Sequence, residues 1–277
     1  MENYWLLRWD LPPTFSYRSS TLPHPACTLS VERGHVRSGV ELLDGPVVVT
    51  GVLTRRFDVV LERSGWVFGV KFRPGGFASI TGTVAKALRD VPVSAPTPAL
   101  RPDTVAALAA LGPHLEPEEC RSVADGVLAS YAQPVEPDYG VVLGIVRVML
   151  RDRSLVRIAQ VEEHCGVSTR RMQRLFERYV GATPKWVLTR YRIHDAIGEL
   201  DAGYTGSMAD LAARYGWFDQ AHFTREFTEL VGVSPGAYVG RVPSRRAAQS
   251  RDEHCVGAVS VRPQLRCRTV PELRNTR

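Results

Sequence analysis

Six side chains that can contact bases or phosphates are concentrated in one short segment, "VSTRRMQRLFERYVGATP", which spans residues 167–184. An arginine can donate two hydrogen bonds to O6 and N7 of guanine, a glutamine can bracket adenine, and a hydroxyl group can serve either base or a phosphate. The candidate DNA-contacting residues of this segment are Ser168, Thr169, Arg170, Arg171, Gln173 and Arg174. Their chemistry is that of a helix that contacts the major groove.

The apolar residues of the same segment have the spacing of a buried helix face. At about 100° per residue, one apolar stripe is formed by Met172, Leu175, Phe176 and Tyr179. Arg170 and Arg174 then fall nearly opposite that stripe, and Arg171 and Gln173 fall on its flanks. Exposed arginines on an amphipathic helix more often form a solvated face than a binding face. Taken alone, this segment is therefore better explained as a solvated helix face.

A second copy of the same pattern favours a binding face over a solvated one. The spacing F-x4-G-x2-P occurs at residues 176–184 and again 51 residues later, at 227–235. The second copy carries its own candidate DNA-contacting residues, which are Gln220, Ala221, His222, Thr224 and Arg225. Two matched faces are hard to explain by solubility, so the duplication favours binding through helices at about 168–179 and 219–231.

Each copy has the sequence of a helix-turn-helix unit. A short amphipathic segment ends at Gly166 in the first copy and at Gly216 in the second. Glycine readily adopts the left-handed conformation that a tight turn requires. Ser168 and Asp219 then stand at the N-cap positions of the following helices. The pattern predicts two successive helix-turn-helix units.

The segment between the units, residues 184–203, predicts a linker helix. Its roughly 17 to 18 helical residues correspond to about 26 Å at 1.5 Å per residue. With allowance for helix widths, the two candidate recognition helices could lie about 34 Å apart, which is one turn of B-DNA.

Residues 140–240 resemble the AraC/XylS family of transcription regulators. The segments that begin at Ile158 and Met208 look like the two half-units of that family, and "SPGAY" at residues 234–238 matches its P-x-x-Y signature. The resemblance implies binding to adjacent major grooves of double-stranded operator or promoter DNA. The residues it implicates are Arg170, Gln173 and Arg174 in the first unit and Gln220, Ala221, His222 and Arg225 in the second.

Ala221 departs from the more usual polar residue of the family. A methyl side chain cannot form a hydrogen bond with a base, but it can contact the methyl group of thymine.

The N-terminal half predicts a different architecture. Short β-branched and aromatic runs, separated by glycine and proline, extend from residue 4 to about 73 and indicate an antiparallel sheet or a small barrel. The predicted class is α+β, with a mainly antiparallel, cupin-like β domain and following helices, and then an all-α domain in which a linker helix joins two helix-turn-helix motifs. The predicted parts are a domain at 1–137 (β-rich to 75, helical at 76–133), a DNA-binding domain at 138–240 and a tail at 241–277.

Residues 1 to about 90 also resemble, less specifically, an N-terminal domain of regulators in this family. That resemblance implies sensing of a small molecule or dimerisation. The residues that could line a pocket for an unidentified effector are Trp66, Phe68, Lys71, Arg73 and Phe77. The alternation of Trp66, Phe68, Val70 and Phe72 is more simply explained as the core face of a strand.

The main competing hypothesis is a cupin-like metal-dependent enzyme fused to a DNA-binding module. The N-terminal region offers only His24, His35 and His114 for the two-histidine, one-carboxylate set that a metal-dependent oxygenase would need. We therefore expect no catalytic residues, metal or cofactor. An RNA-binding or architectural protein is disfavoured because the sequence fixes two groove-reading helices and presents no set of stacking aromatics.

Composition and charge limit the remaining classes of protein to which the chain could belong. The 277 residues carry a net charge of +6, and residues 241–277 hold nine Lys and Arg against three Asp and Glu, so we predict a basic, largely disordered tail. No apolar run approaches the roughly 18 to 20 residues needed to span a bilayer. We expect a cytoplasmic protein without membrane contact, and RNA polymerase and a second copy of the chain stay open as partners.

Overall fold

The computed structural model describes residues 1–38, 45–94, 98–131, 134, 136–241 and 265–269. The strands in the described regions are β1 Asn3–Asp10, β2 Ser16–Thr21, β3 Thr28–Ser38, β4 Val47–Thr50, β5 Phe57–Lys71, β6 Pro92–Ser94 and β7 Leu265–Thr269. The α-helices of the N-terminal half are α1 Gly76–Thr81, α2 Pro102–Ala109 and α3 Pro117–Ala129, and a 3-10 helix spans Ala85–Leu88.

The described strands form one antiparallel sheet in the order β6-β4-β3-β5-β1-β7, with β2 also paired to β5. The antiparallel arrangement confirms the predicted N-terminal fold class. Because the strand order ends at β6 and β7, the described sheet is open rather than the small barrel that the sequence also allowed. The long strand β5 joins the sheet together, since it pairs with β1, β2 and β3.

The alternating residues of β5 form the core face of the sheet. Trp66, Phe68 and Val70 are each 1% exposed and pack with residues of β3 and with the buried faces of α2 and α3, including Leu108 and Leu128. Burial of such large apolar side chains stabilises the fold by about 1.5 to 3 kcal/mol for each residue. The helices that follow the sheet are thus needed to cover it.

Beyond α3 the described chain is helical up to residue 241. The elements are α4 Pro137–Arg151, α5 Ile158–Cys165, α6 Thr169–Tyr179, α7 Pro184–Asp201, α8 Met208–Arg214, α9 Gln220–Val231 and α10 Pro235–Arg241. The pairs α5–α6 and α8–α9 are the two predicted helix-turn-helix units, and α7 is the predicted linker helix. Within the described regions, no helix combines the length and apolar character needed to cross a membrane.

Packing crosses the predicted domain boundary. Helix α4 begins at Pro137, where the boundary was placed, but Val52, Ala78 and Ala85 of the N-terminal half share a buried cluster with Val142 and Phe176. The 3-10 helix lies so close to the end of α6 that a Cβ atom on Gly181 would stand 2.8 Å from the Ala85 oxygen. The division at residue 137 therefore stays a prediction about folding units.

The predicted disordered tail needs one correction. Residues 265–269 form β7, which pairs with β1 from Trp5–Thr269 to Trp9–Leu265. On that side β1 would otherwise be an edge strand with unpaired backbone groups, and such edges recruit a further strand. Residues 242–264 and 270–277 lie outside the described part of the chain.

Replacement of Gly181 by alanine tests the contact between the two halves. Gly181 and Gly203 have nearly the same φ, 86° and 87°, but a Cβ at Gly203 would meet nothing within 4 Å. The left-handed conformation costs a residue with a side chain about 1 to 2 kcal/mol. We expect Gly203→Ala to lower the free energy of unfolding by about that amount and Gly181→Ala to lower it further. Equal losses in denaturant titrations would contradict the contact.

Candidate nucleic-acid interface

The first recognition helix, α6, begins and packs as its sequence predicts. The Ser168 hydroxyl accepts a hydrogen bond from the backbone N–H of Arg171 at 3.4 Å, which places Ser168 at the N-cap. Met172 and Phe176 are fully buried, together with Leu175 and Tyr179. The capping and the apolar stripe predicted from the sequence are therefore confirmed.

The outward face of α6 presents positive charge unequally. Arg170, Arg171, Gln173 and Arg174 are all exposed. Nη2 of Arg171 lies 3.1 Å from Oδ1 of Asp138, so a carboxylate on α4 partly neutralises it. For Arg170 and Arg174 the described regions contain no such ion pair. These two arginines, which stand opposite the buried stripe, are the more available for a phosphate or a base.

Thr169 lies in a different environment from its neighbours. Its hydroxyl donates to Oε2 of Glu162, and the side chain is half-buried. The contact joins α5 to α6 across the turn of the first unit. Thr169 therefore positions the recognition helix, and its hydroxyl is already engaged, unlike the free base contact expected from the sequence.

The second recognition helix, α9, is capped in the same way. Oδ1 of Asp219 accepts a hydrogen bond from the backbone N–H of His222 at 2.7 Å. Phe223 and Phe227 are fully buried, and Gly216 in the preceding turn has a φ of 74°. Both predictions for this unit, the turn glycine and the N-cap, are confirmed.

A shallow groove of about 700 Å³ follows the outer face of α9. Its lining residues are Gln220, Ala221, Thr224, Arg225, Thr228 and Glu229. The first four were predicted, whereas Thr228 and Glu229 were missed, although they lie one helical turn beyond Thr224 and Arg225. His222 faces elsewhere, because its Nε2 atom lies 3.2 Å from Oε1 of Glu226.

Arg192 of the linker helix holds the two units together. Its Nε donates to the Tyr215 carbonyl at 2.6 Å, and its Nη1 donates to the Val156 carbonyl at 3.4 Å. Its guanidinium lies 4.0 Å from the ring centroid of Trp217. Gly216 leaves space for this junction, because a Cβ there would come within 2.5 Å of the Val156 side chain. No pattern in the sequence indicates this role, since the three partners of Arg192 are distant from it along the chain.

A basic cluster lies where the N-terminal half meets α7. Arg190 is 2% exposed, and its Nε donates to the Pro23 carbonyl; burial lowers its pKa to about 10. Nδ1 of His24 is buried and has no hydrogen-bond partner among the described residues. Burial, and then the charges of Lys71, Arg190 and His194, hold the pKa of His24 well below its ordinary value.

The residues suggested for an effector site lie in dissimilar surroundings. The rings of Trp66 and Phe68 stack in the sheet core with centroids 6.5 Å apart, and Phe77 is also buried. Lys71 pairs with Glu2 at 3.5 Å, whereas Arg73 is exposed. The core explanation of the aromatic alternation therefore accounts for Trp66 and Phe68. In the described regions, no three His, Cys, Asp or Glu side chains are grouped as metal ligands would be.

Two family models match separate parts of the chain. Residues 162–241 match a family described as a helix-turn-helix domain. Residues 1–94 match a family described as a domain of unknown function (DUF6597). A probable thc operon regulatory protein of Rhodococcus erythropolis is 33% identical over 91 residues, which cover 32% of this chain and 27% of that protein. The similarity thus spans about a quarter of the relative's length.

Solved structures give weaker likenesses. ToxT from Vibrio cholerae superposes with a TM-score of 0.43 at 12% identity, covering 86% of this chain and 98% of that one. An AraC-type regulator from Chromobacterium violaceum gives a TM-score of 0.35 at 18% identity, covering 39% of this chain and 96% of that one. Both TM-scores are below 0.5, so neither likeness carries a functional conclusion.

Arg192→Met tests the junction between the units. Methionine keeps much of the apolar volume but leaves the Tyr215 and Val156 carbonyls without their donor. We expect the free energy of unfolding to fall by about 1 to 3 kcal/mol. Arg225→Met, at an exposed position, is the matched control and should stay within about 0.5 kcal/mol of the parent. Equal stability of the two variants in urea titrations would show that Arg192 does not hold the units together.

Acidification is expected to weaken the fold through His24. Since its pKa is lowered in the folded protein, His24 takes up a proton on unfolding once the pH is below about 6.5. The stability it contributes is present above that pH and is lost as the pH falls, by up to about 1.4 kcal/mol per pH unit. His24→Gln should reduce this slope between pH 7.5 and 5.5. A variant with the slope of the parent would rule out His24 as the source.

Proposed function

We propose that the chain is a sequence-specific, DNA-binding transcription regulator of the AraC/XylS type, a proposal supported by the helix-turn-helix match over residues 162–241 and by the similarity to a probable operon regulatory protein. Helices α6 and α9 enter successive major grooves of double-stranded DNA. The proposal is supported chiefly by one observation, which is that two capped helices present matched outer faces while a single linker helix joins them.

The chemistry of the two faces suits duplex DNA. Arg170 and Arg174 on α6, and Arg225 on α9, are exposed and have no ion pair among the described residues. An arginine in this setting can bind guanine through two hydrogen bonds or neutralise a phosphate. Gln173 and Gln220 can bracket adenine. Each recognition helix thus offers at least one group for guanine and one for adenine.

The linker helix sets the distance between the two recognition helices. Helix α7 has 18 residues, which correspond to about 27 Å at 1.5 Å per residue. That length, with the widths of the flanking helices, suits a separation of about 34 Å, the repeat of B-DNA. The contacts of Arg192 with Tyr215 and Val156 join both units to α7.

The N-terminal half is proposed to regulate this geometry. It contacts the first unit through Ala85 at Gly181 and the linker helix through the Thr54 carbonyl, which accepts from Nε1 of Trp186 at 3.3 Å. Arg56 lies against Gly232 of the second unit. These contacts could be altered by an unidentified small molecule or by a second copy of the chain. Either would then act on both recognition helices at once.

Arg174→Ala and Arg225→Ala test the assignment of the readers. Each removes an exposed guanidinium and leaves the buried stripes intact, so thermal stability should hardly change. After selection of bound sites from a random duplex pool, each variant should bind the selected site about 1 to 3 kcal/mol more weakly and lose preference at one position.

Phe176→Ala and Phe227→Ala serve as the contrasting pair. They remove fully buried rings and should lower the free energy of unfolding by about 3 to 5 kcal/mol, with loss of binding as an indirect effect. An arginine variant that melts normally and keeps both the affinity and the base preference of the parent would show that α6 or α9 is not in the groove.

A further inference from the structure

Phe218 is the most exposed of the large apolar side chains that the structure describes. Its side chain is 92% exposed, against 54% for Leu150, the next in order. It stands in the turn of the second helix-turn-helix unit, directly before the N-cap residue Asp219. Single exposed apolar side chains are ordinary on folded proteins, but this one is set apart by its near-complete exposure and by its place directly before a candidate recognition helix.

The packing of the turn does not explain why the Phe218 ring is exposed. The adjacent Trp217 is 4% exposed, its ring centroid lies 4.8 Å from that of Phe223, and its Nε1 donates to Oε2 of Glu226 at 2.6 Å. Trp217 therefore anchors the turn to α9 and receives the guanidinium of Arg192. Phe218 points away from these contacts and takes part in no ring pair among the described residues.

Phe218 stands three positions before Ala221, an apolar residue on the outer face of the recognition helix. Ala221, which follows it by three residues, is exposed and lines the groove along α9. Phe218 and Ala221 thus place an aromatic ring and a methyl group at the start of α9. Arg225, exposed and without an ion pair in the described chain, supplies a positive charge in the groove that Ala221 lines.

We propose that Phe218 and Ala221 together read the C5 methyl groups of thymine in the second major groove. This proposal rests on the proposed DNA-binding function and names a specificity determinant for it. The thymine methyl is the one apolar group on the major-groove edges of the four bases. The positive charge of Arg225 and the N-terminal end of the 12-residue helix α9 both favour approach to the phosphate backbone. DNA offers methyl groups and phosphates side by side, which suits both the apolar groups and the charge of this patch.

The test removes the methyl group and the ring separately. The full chain is used to select bound sites from a random duplex pool, and each thymine of the half-site bound by α9 is then replaced in turn by deoxyuridine, which lacks only the methyl. Loss of a methyl contact corresponds to about a fourfold weaker affinity. We expect a loss of this order at one or two thymines for the parent chain.

Phe218→Ser should bind the unmodified site several-fold more weakly and should no longer distinguish thymine from deoxyuridine at the same positions. Ala221→Gly should reduce the discrimination in part. Phe15→Ser is the matched control, because Phe15 is an exposed phenylalanine of the N-terminal half, 49% exposed. That variant should keep the affinity and the methyl sensitivity of the parent. Melting curves of Phe218→Ser and Phe15→Ser should coincide with that of the parent, and Ala221→Gly should melt slightly lower because glycine loses more conformational freedom in a helix.

Failure of the two proposals can be told apart. If the folded parent chain selects no duplex sequence, DNA recognition itself is wrong. If it selects a site but the parent and Phe218→Ser respond alike to deoxyuridine, DNA recognition stands and the methyl-reading role of Phe218 is overturned. A Phe218→Ser variant with parental DNA binding but defective transcription in a reconstituted assay would assign the ring to a protein partner and would likewise overturn the proposal.

Discussion

One guanidinium, that of Arg192, joins the two helix-turn-helix units to the linker helix. It donates to a carbonyl before the first unit and to a carbonyl in the turn of the second, and it stacks on Trp217. A planar guanidinium has donors in a fixed geometry, which a flexible ammonium cannot reproduce. Because Arg192 is carried by the linker helix, it fixes each unit with respect to the same axis. The junction thus ties both units to the same helix.

Local features of the fold could be predicted from the sequence because they depend on residues a few positions apart. The left-handed glycines Gly166 and Gly216 and the caps Ser168 and Asp219 all stand where the spacing predicts them. The buried stripes of both recognition helices follow from a repeat of about 3.6 residues in the same way. The alternation of apolar residues in β5 likewise predicts that one face of the strand is buried. In the structure α2 and α3 cover that face.

Features that depend on distant residues could not be predicted. Helical periodicity shows that Arg171 points outward, but not that Asp138, 33 positions away, neutralises it. It gives no account of the Arg192 junction or of the strand Leu265–Thr269, which lies far from its partner β1 in the sequence. Nor does it separate the buried Trp217 from the exposed Phe218, because two adjacent aromatic residues in a turn have no periodicity to distinguish them.

The core of the first helix-turn-helix unit is completed from outside the unit. Val52, Ala78 and Ala85 pack into it, whereas the core of the second unit consists mainly of its own residues, with Leu22 at its margin. The duplicated halves are therefore unequal in local stability. We expect the first to open for amide hydrogen exchange together with the N-terminal half, and the second to form a smaller cooperative unit. One recognition helix is thus held by the rest of the protein, and the other depends chiefly on the packing of its own unit and on the contacts of Arg192.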